Sequence, residues 1–251
     1  MGGTIGALDK ELALSLLLEV NEILAKEPFR PLDTGGLAGC LIELPDEPPP
    51  VVVGDLHGQV DNLLKILTEN CLIQALQNNR AMLCILGDGV QSENANEMEN
   101  MDGSILIMDL ILTLKRQFPA NVFYLRGNHD DFSADLFKNG IPQGILMKKA
   151  CAETRGDLYV EAMQRFYDLL PYMIVCKSFI GTHAGPPRAD TTRKQIINIR
   201  QKPQTARQML RTRLKRTHQL SGYGKNEIKS LRKALNSQKS TPVIVGHTPL
   251  D

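Results

Sequence analysis

The amino-acid sequence predicts an α/β fold, in which short buried strands alternate with amphipathic helices. Three short apolar runs in the first half of the chain, VVVG, AMLCILGDG and NVFYLRGNHD, each end in glycine and polar residues. Segments with Leu and Ile at helical spacing separate these runs. The chain has 251 residues, which is enough to bury a substantial core in one large domain or two small ones.

The first half of the chain divides into helices, strands and one loop. Residues 8–26 carry Leu and Ile at helical spacing with charged residues between them, so they predict an amphipathic helix. Residues 27–50 contain glycines and the run PDEPPP, so they predict a connecting loop. The segments at 60–76 and 104–118 predict helices that follow the first and second strands.

The second half of the chain is less regular. Residues 156–170 predict a helix, and YMIVC, SFIGTH and TPVIVGH predict three further strands. Residues 201–237 are basic and predict a largely helical stretch. The whole pattern still favours an α/β protein, because apolar strands and helices continue to the end of the chain.

The composition excludes several classes of protein. The net charge of +1 gives no indication of binding to nucleic acid or to a membrane surface. No apolar run reaches the roughly 18 residues that a membrane-spanning helix needs. The five cysteines are scattered, odd in number and form no CxxC pair, which indicates free thiols in a reducing compartment. We therefore expect a cytoplasmic protein, and the compartment stays unknown if the protein is secreted into a host cell.

Polar side chains follow the predicted strands at the points where the strands end. The loops at the carboxyl ends of strands in an α/β sheet converge on one crevice, which is where ligands bind. Each motif alone is typical of an ordinary turn or a structural histidine, but carboxylates and imidazoles at five strand ends together indicate a metal site. The side chains concerned are Asp55, His57, Asp88, Asn128, His129, Asp130, His183 and His247.

These strand-end motifs resemble those of the phosphoprotein phosphatase family of calcineurin-like metallophosphoesterases, and the chain looks like a divergent member of bacterial type. The motifs read GDLHGQ (54–59), GDGVQSE (87–93), RGNHD (126–130), THAGPP (182–187) and VGHTP (245–249). The resemblance implies a two-sheet β-sandwich flanked by helices, with a dimetal site at the strand ends. It also implies a catalytic domain at residues 51–251, preceded at 1–50 by an N-terminal helix and a proline-rich connector.

The resemblance assigns roles to the strand-end residues. Asp55 and His57 would hold one metal, Asp88 would bridge, and the second metal would be held by Asn128, His183 and His247. The mixture of nitrogen and oxygen ligands without cysteine suits manganese, iron or zinc better than calcium, and we expect two manganese ions. By the same resemblance, His129 is the general acid that protonates the leaving oxygen.

The second motif departs from the family pattern GDxxDRG. The family's aspartate, which orients the catalytic histidine, is Gln91 here, its phosphate-binding arginine is Ser92, and its glycine is Glu93. Among nearby acids, Asp130, Asp131 or Glu93 would then orient His129. Phosphate would be held by an arginine of the 188–216 stretch, with Arg188 as the first candidate, unless that stretch is only a solvated basic helix face.

The resemblance implies a phosphatase that hydrolyses phosphomonoesters on phosphoproteins, with phosphoserine and phosphothreonine as the family default. The altered second motif keeps phosphotyrosine open as a substrate. Two other functions remain open: hydrolysis of dinucleoside polyphosphates or similar small molecules, and an inactive binding module that keeps the metal frame. The chain ends four residues after His247, so the C-terminal strands of the second sheet are expected to be abbreviated or missing.

Overall fold

The computed structural model describes residues 6–94, 96–188, 190–216 and 221–248. The strands in these ranges are β1 (Leu41–Glu43), β2 (Pro50–Val53), β3 (Met82–Ile85), β4 (Val122–Tyr124), β5 (Met173–Val175), β6 (Ile180–Thr182) and β7 (Val243–Val245). The helices are α1 (Lys10–Ala25), α2 (Val60–Thr68), α3 (Leu72–Gln77), α4 (Asp102–Gln117), α5 (Gln143–Arg155), α6 (Asp157–Leu169), α7 (Arg193–Ile197), α8 (Pro203–Arg211) and α9 (Lys225–Ala234).

The strands form two sheets. One sheet has the order β2-β3-β4 and is parallel throughout. The other has the order β1-β5-β6-β7, in which β5 and β6 are antiparallel and the other neighbours are parallel. The predicted α/β class is therefore confirmed, as is the pair of sheets flanked by helices.

Alternation along the strands divides the core into layers. In β3, Leu83 and Ile85 lie in the apolar cluster between the first sheet and the helices. Their neighbours Met82 and Cys84 lie in a second cluster, where they pack with residues of the other sheet such as Ile174. Successive side chains of a strand point to opposite faces, so one apolar run fills both the helical layer and the space between the sheets.

Helix α1 confirms the helix predicted at residues 8–26. Asp9 caps it, because its carboxylate accepts from the backbone N–H groups of Glu11 and Leu12, each at 3.0 Å. Its buried side chains, including Leu17 and Val20, share one face at helical spacing and pack against α4 and α6. The helix is therefore part of the helical layer that packs on the first sheet.

The prediction that residues 27–50 form only a connecting loop is wrong. Strand β1 lies within this range, at Leu41–Glu43, and pairs with β5 in parallel register. Just before this strand, the buried side chain of Arg30 holds the backbone in place. It donates to Gly39 O at 2.6 Å and to Glu27 at 3.0 Å. The division of the chain at residue 50 stays a prediction, but a strand from the first part completes a sheet of the second.

The single helix predicted at residues 60–76 is interrupted. Asn70 and Cys71 both have left-handed backbone conformations, with φ of 50° and 57°, and they separate α2 from α3. Periodicity did not reveal this break, since the apolar residues on both sides keep helical spacing. Helix α5, which is less clearly amphipathic, was also not predicted.

The parallel strands bring five loops to one edge of the two sheets. The loops after β2, β3 and β4 leave the same edge of the first sheet because these strands are parallel. The loops after β6 and β7, also parallel to each other, carry His183 and His247. No helix in the described ranges is long and apolar enough to cross a membrane.

Candidate metal centre

The loop after β3 organises the edge. The backbone carbonyl of Asp88 accepts from the N–H groups of Leu56 and His57 at 3.0 and 2.9 Å. The Asp88 carboxylate accepts from the N–H of His129 at 2.7 Å. The motifs after β2 and β4 are thus both tied to one residue, which explains why side chains far apart in sequence meet.

Two glycines allow loops to approach these carboxylates closely. A Cβ added at Gly127 would lie 2.1 Å from Asp88 Oδ1, and one added at Gly246 would lie 2.2 Å from Asp55 Oδ1. Such distances are impossible without moving the carboxylate. A Cβ at Gly54 would meet nothing within 4 Å. The glycines after β4 and β7 therefore create the space in which the acids sit, whereas Gly54 does not.

Several site residues have backbone conformations that are unfavourable for their type. Positive φ angles occur at His57 (45°), Asp88 (52°), Gln91 (66°) and His247 (61°). Non-glycine residues in this region carry a conformational cost that the surrounding structure must offset. Four such residues in or beside the ligand groups indicate that the backbone is shaped for a site rather than for stability alone.

Two groups of ligand atoms share Asp88. Asp55, His57 and Asp88 form one group, and Asp88, His183 and His247 form the other, with the ligand atoms of each group within 4.8 Å of one another. Because Asp88 belongs to both groups, it is the residue that two neighbouring cations would share. The structure thus brings together five of the six predicted ligands in the pattern that a bridged pair of metals requires.

The sixth ligand candidate, Asn128, lies beside the second group. One atom of its side-chain amide is 2.7 Å from His247 Nδ1, 3.0 Å from His183 Nε2 and 3.3 Å from Asp88 Oδ2. The other amide atom is 3.1 Å from His129 Nε2. With the amide nitrogen toward His129, the oxygen joins three atoms that carry lone pairs, which is the donor set a divalent cation would fit.

Backbone carbonyls orient two of the imidazoles. The Nδ1–H of His183 donates to Leu86 O at 2.9 Å, and the Nδ1–H of His57 donates to Gln91 O at 3.0 Å. A histidine whose Nδ1 is held in this way presents Nε2 as the metal ligand. His183 Nε2 lies 3.2 Å from Asp88 Oδ2. The residues therefore fit a metal in ligand type, number and orientation.

The ionisable groups of the centre perturb one another. Burial would raise the pKa of Asp88, but the neighbouring imidazoles, with His183 the strongest, together outweigh burial and hold that pKa well below its usual range. Burial would lower the pKa of His183, but Asp88 raises it to about 9. Burial raises the pKa of Asp55 and lowers that of His247 to about 4. The raised pKa of His183 shows that the carboxylates favour a positive charge beside Asp88, which a cation would also supply.

Gln91 orients His129, and this corrects the prediction that a nearby acid does so. Gln91 Oε1 accepts from His129 Nδ1 at 2.7 Å, and Gln91 Nε2 donates to His129 O at 3.2 Å. Glutamine therefore occupies the place of the family's aspartate and makes the same contact without a charge. Burial lowers the pKa of His129 to about 4.

Asp130, predicted as a catalytic candidate, has a different position. Its carboxylate accepts from the N–H groups of Gly127 at 2.7 Å and Asp88 at 3.1 Å, and from the hydroxyl of Tyr124 at 2.7 Å. Burial raises its pKa to about 6. Asp130 braces the loops that carry the ligands and makes no hydrogen bond to the His129 ring. Its predicted role next to that ring is therefore wrong.

A cavity of about 450 Å³ lies over the ligand groups, and two cationic residues line it, Lys138 and Arg213. Arg213 belongs to the predicted arginine stretch and donates to His247 O at 3.4 Å. Arg188, the first candidate, is exposed and lines other cavities instead, so that choice is wrong. Lys138 was not predicted; the turn sequence KNGI places it on a hairpin, but no local pattern shows which surface that hairpin faces.

Comparisons with known proteins identify the family to which the chain belongs. The family model of the calcineurin-like phosphoesterases matches residues 49–251. The chain therefore belongs to the calcineurin-like phosphoesterase family. The family resemblance predicted from the strand-end motifs is therefore confirmed.

Individual relatives are more distant. The serine/threonine-protein phosphatase with EF-hands 1 of Rattus norvegicus is 28% identical over 135 residues, which are 53% of this chain and 19% of that protein. The chain thus spans about a fifth of that relative. A Saccharomyces cerevisiae protein serine/threonine phosphatase, described as similar to human phosphatase PP5, superimposes with a TM-score of 0.69 at 15% identity, covering 97% of this chain and 72% of that one.

A second solved structure has a related fold. The cold-active protein-tyrosine phosphatase of a Shewanella species superimposes with a TM-score of 0.50 at 14% identity, over 79% of this chain and 65% of that one. At such identities the likeness establishes the fold alone. The bacterial type of the chain stays a prediction, since relatives of several origins match it.

Glycine 246 offers a test of how the centre is built. Gly246→Ala should push the Asp55 carboxylate out of place, because the added Cβ would lie 2.2 Å from its Oδ1. We expect the affinity for divalent metal to fall about 10- to 100-fold, as is typical when the support of a ligand is lost. Metal titration of the two variants Gly246→Ala and Gly54→Ala measures this. Equal affinity in both would contradict the account of the β7 loop.

Proposed function

We propose that this protein is a dimetal-dependent phosphoprotein phosphatase that hydrolyses phosphomonoesters. The observation that supports it best is the pair of ligand groups sharing Asp88, with His129 beside them in the same cavity. The six proposed ligands are Asp55, His57, Asp88, Asn128, His183 and His247. We expect manganese, and iron or zinc would also suit these nitrogen and oxygen donors.

Two divalent cations bound here would activate a water molecule and neutralise the charge of the phosphate oxygens. The protein itself contributes first by holding the ligands and His129 in position. Asp88 ties the loops after β2 and β4 together, so the ligands and His129 keep a fixed separation. A rigid arrangement lowers the reorganisation that the reaction would otherwise need.

His129 is the proposed proton donor to the leaving oxygen. Gln91 holds its Nδ1, so Nε2 is the atom that faces the cavity. Since burial lowers the pKa of His129 to about 4, the ring carries little charge at neutral pH without substrate. A phosphate dianion beside the ring favours the protonated form, so we expect donation to depend on bound substrate.

Arg213 is the proposed arginine contact of the phosphate. Because a charged hydrogen bond is worth about 1.5–3 kcal/mol and this guanidinium is exposed, we expect Arg213→Ala to lower kcat/KM for p-nitrophenyl phosphate about tenfold. Arg188→Ala is the matched control, since Arg188 is also exposed but lies outside the cavity. If Arg213→Ala is as active as Arg188→Ala and wild type, Arg213 does not hold the phosphate.

One assay series separates the substrate classes. Metal-loaded protein is offered phosphoserine, phosphothreonine and phosphotyrosine peptides and a dinucleoside polyphosphate. The proposal predicts release of phosphate from the peptides, with phosphoserine and phosphothreonine preferred by family default and phosphotyrosine as the alternative. Hydrolysis of the dinucleotide alone would indicate a small-molecule phosphoesterase, and metal binding without any hydrolysis would indicate a binding module.

A further inference from the structure

Gln91, Ser92 and Glu93 stand where the family pattern has aspartate, arginine and glycine. Ser92 removes the arginine that would bind phosphate, and Glu93 adds a negative charge. Ser92 is buried, and its hydroxyl donates to Glu97 Oε2 at 3.1 Å and accepts from Asn94 N at 3.2 Å. Ser92 does not line the cavity, whereas Glu93 does. The segment therefore adds a negative charge to the cavity at the place where the family pattern has an arginine and a glycine.

A lysine from a different loop compensates for that charge. Lys138 and Ile141 close a two-residue hairpin with hydrogen bonds of 3.1 and 2.9 Å, and the central residues Asn139 and Gly140 have φ of 51° and 82°. This is the geometry of a type I′ turn, which is rigid and favoured by the Asn-Gly sequence. The position of Lys138 is thus set by its own backbone.

The hairpin is fastened to the substituted segment. Gln143, just after the turn, is buried and its Nε2 donates to Ser92 O at 2.9 Å. Asn139 Nδ2 contacts the sulfur of Met98 at 3.8 Å. These contacts hold the Lys138 backbone beside Ser92 and Met98 and bring its side chain to the cavity.

In the cavity, Lys138 forms an ion pair with Glu93. Lys138 Nζ contacts Glu93 Oε1, and the same oxygen lies 3.7 Å from His57 Nε2. The two side chains are 35% and 46% exposed, so the pair is partly screened by solvent and weakly held. A phosphate dianion carries more charge than a carboxylate and accepts stronger charge-assisted hydrogen bonds. Phosphate in this cavity would therefore compete successfully for the ammonium group.

We infer that Lys138 is the phosphate-binding cation that takes the place of the family's arginine, and that Glu93 is its counterion until phosphate displaces it. This inference rests on the proposed function of the centre. A lysine presents a point charge rather than a planar fork, so it can leave a carboxylate and meet a phosphate oxygen by a small rotation of its side chain. Glu93 would thereby keep Lys138 in the cavity without blocking the ligands.

A simpler role must be distinguished, in which Lys138 only neutralises Glu93. In that case removing both charges together would restore phosphate binding fully. In the role inferred here, Lys138 contributes even when Glu93 is absent. The four proteins of a double-mutant cycle separate the two cases: wild type, Lys138→Met, Glu93→Gln and the double variant.

The experiment measures the affinity of the manganese-loaded protein for inorganic phosphate by isothermal titration calorimetry. We expect Lys138→Met to weaken binding about tenfold and Lys138→Arg to stay within about threefold of wild type. Glu93→Gln should strengthen binding about two- to threefold, since the competing carboxylate is gone. The double variant should bind about fivefold more weakly than Glu93→Gln. Lys149→Met, which breaks an exposed Lys149–Glu153 pair on α5, is the control and should match wild type.

Two results would overturn the inference. If Lys138→Met binds phosphate as tightly as the Lys149→Met control, Lys138 does not contact phosphate. If the double variant binds as tightly as Glu93→Gln, Lys138 only neutralises the carboxylate. Hydrolysis of p-nitrophenyl phosphate by wild type is measured in parallel to test the proposed function separately. If wild type is active and Lys138→Met leaves phosphate affinity unchanged, this inference alone is rejected. If wild type neither hydrolyses the substrate nor binds phosphate, the proposed function is rejected.

Discussion

Asp88→Asn should remove metal and hydrolysis together. Asparagine keeps the oxygen that accepts from His129 N, so the loops should remain in place. It lacks the negative charge and the second carboxylate oxygen of Asp88, the residue common to both ligand groups. Since a metal ion contributes several kcal/mol of charge stabilisation, we expect activity on p-nitrophenyl phosphate to fall about 10³-fold or more. Elemental analysis and initial rates on the same preparation measure the two losses.

The control for this prediction is Asp135→Asn, which changes an exposed aspartate outside the metal cavity. It should retain both metal and activity. Full hydrolysis by Asp88→Asn, with chelator-treated wild type equally active, would show that the reaction does not use this centre.

His129→Gln should separate substrates by their leaving groups. A phenolate leaves without help, so the variant should lose little on p-nitrophenyl phosphate. The alkoxide of phosphoserine is a strong base and needs a proton, so the loss there should be about 10²- to 10⁴-fold. Metal content should stay unchanged, because Asn128 and not His129 is the proposed ligand. Rates on both substrates and metal analysis provide the measurement.

Gln91→Met tests the same proton donation by removing the residue that holds the His129 ring. Methionine is similar in size but cannot accept from His129 Nδ1, so the variant should show the same dependence on the leaving group with a smaller loss. Equal losses of His129→Gln on both substrates would argue against proton donation. Loss of metal from that variant would make His129 a ligand.

The sequence predicted six of the seven strands in the described ranges and the meeting of the polar side chains at their ends, because both depend on local patterns. Each apolar run is followed by its polar cluster, and parallel strands necessarily bring those clusters to one edge. Short elements were harder to predict. Strand β1 has only three residues within a proline-rich stretch, and it exists because it pairs with β5 more than 120 residues later. The hydrophobic pattern of residues 27–50 does not indicate that this segment pairs with β5.

The residues around the ligands were predicted less well for a related reason. Gln91 was passed over because a carboxylate was expected next to a catalytic histidine, although an amide oxygen accepts the same hydrogen bond. Lys138 reaches the cavity through the contacts of its hairpin with Ser92 and Met98, which no spacing rule predicts. Arg188 and Arg213 look alike in sequence, and only the fold decides which one lines the cavity.

The most direct test of the central claim is metal reconstitution. The protein is stripped with a chelator, titrated with Mn²⁺, and assayed for release of phosphate from a phosphoserine peptide while bound metal is counted. The account predicts no hydrolysis in the stripped protein and activity that rises to its maximum as two metal ions per chain bind. Hydrolysis at the full rate by the stripped protein, or two tightly bound metals with no hydrolysis of any phosphomonoester, would contradict it.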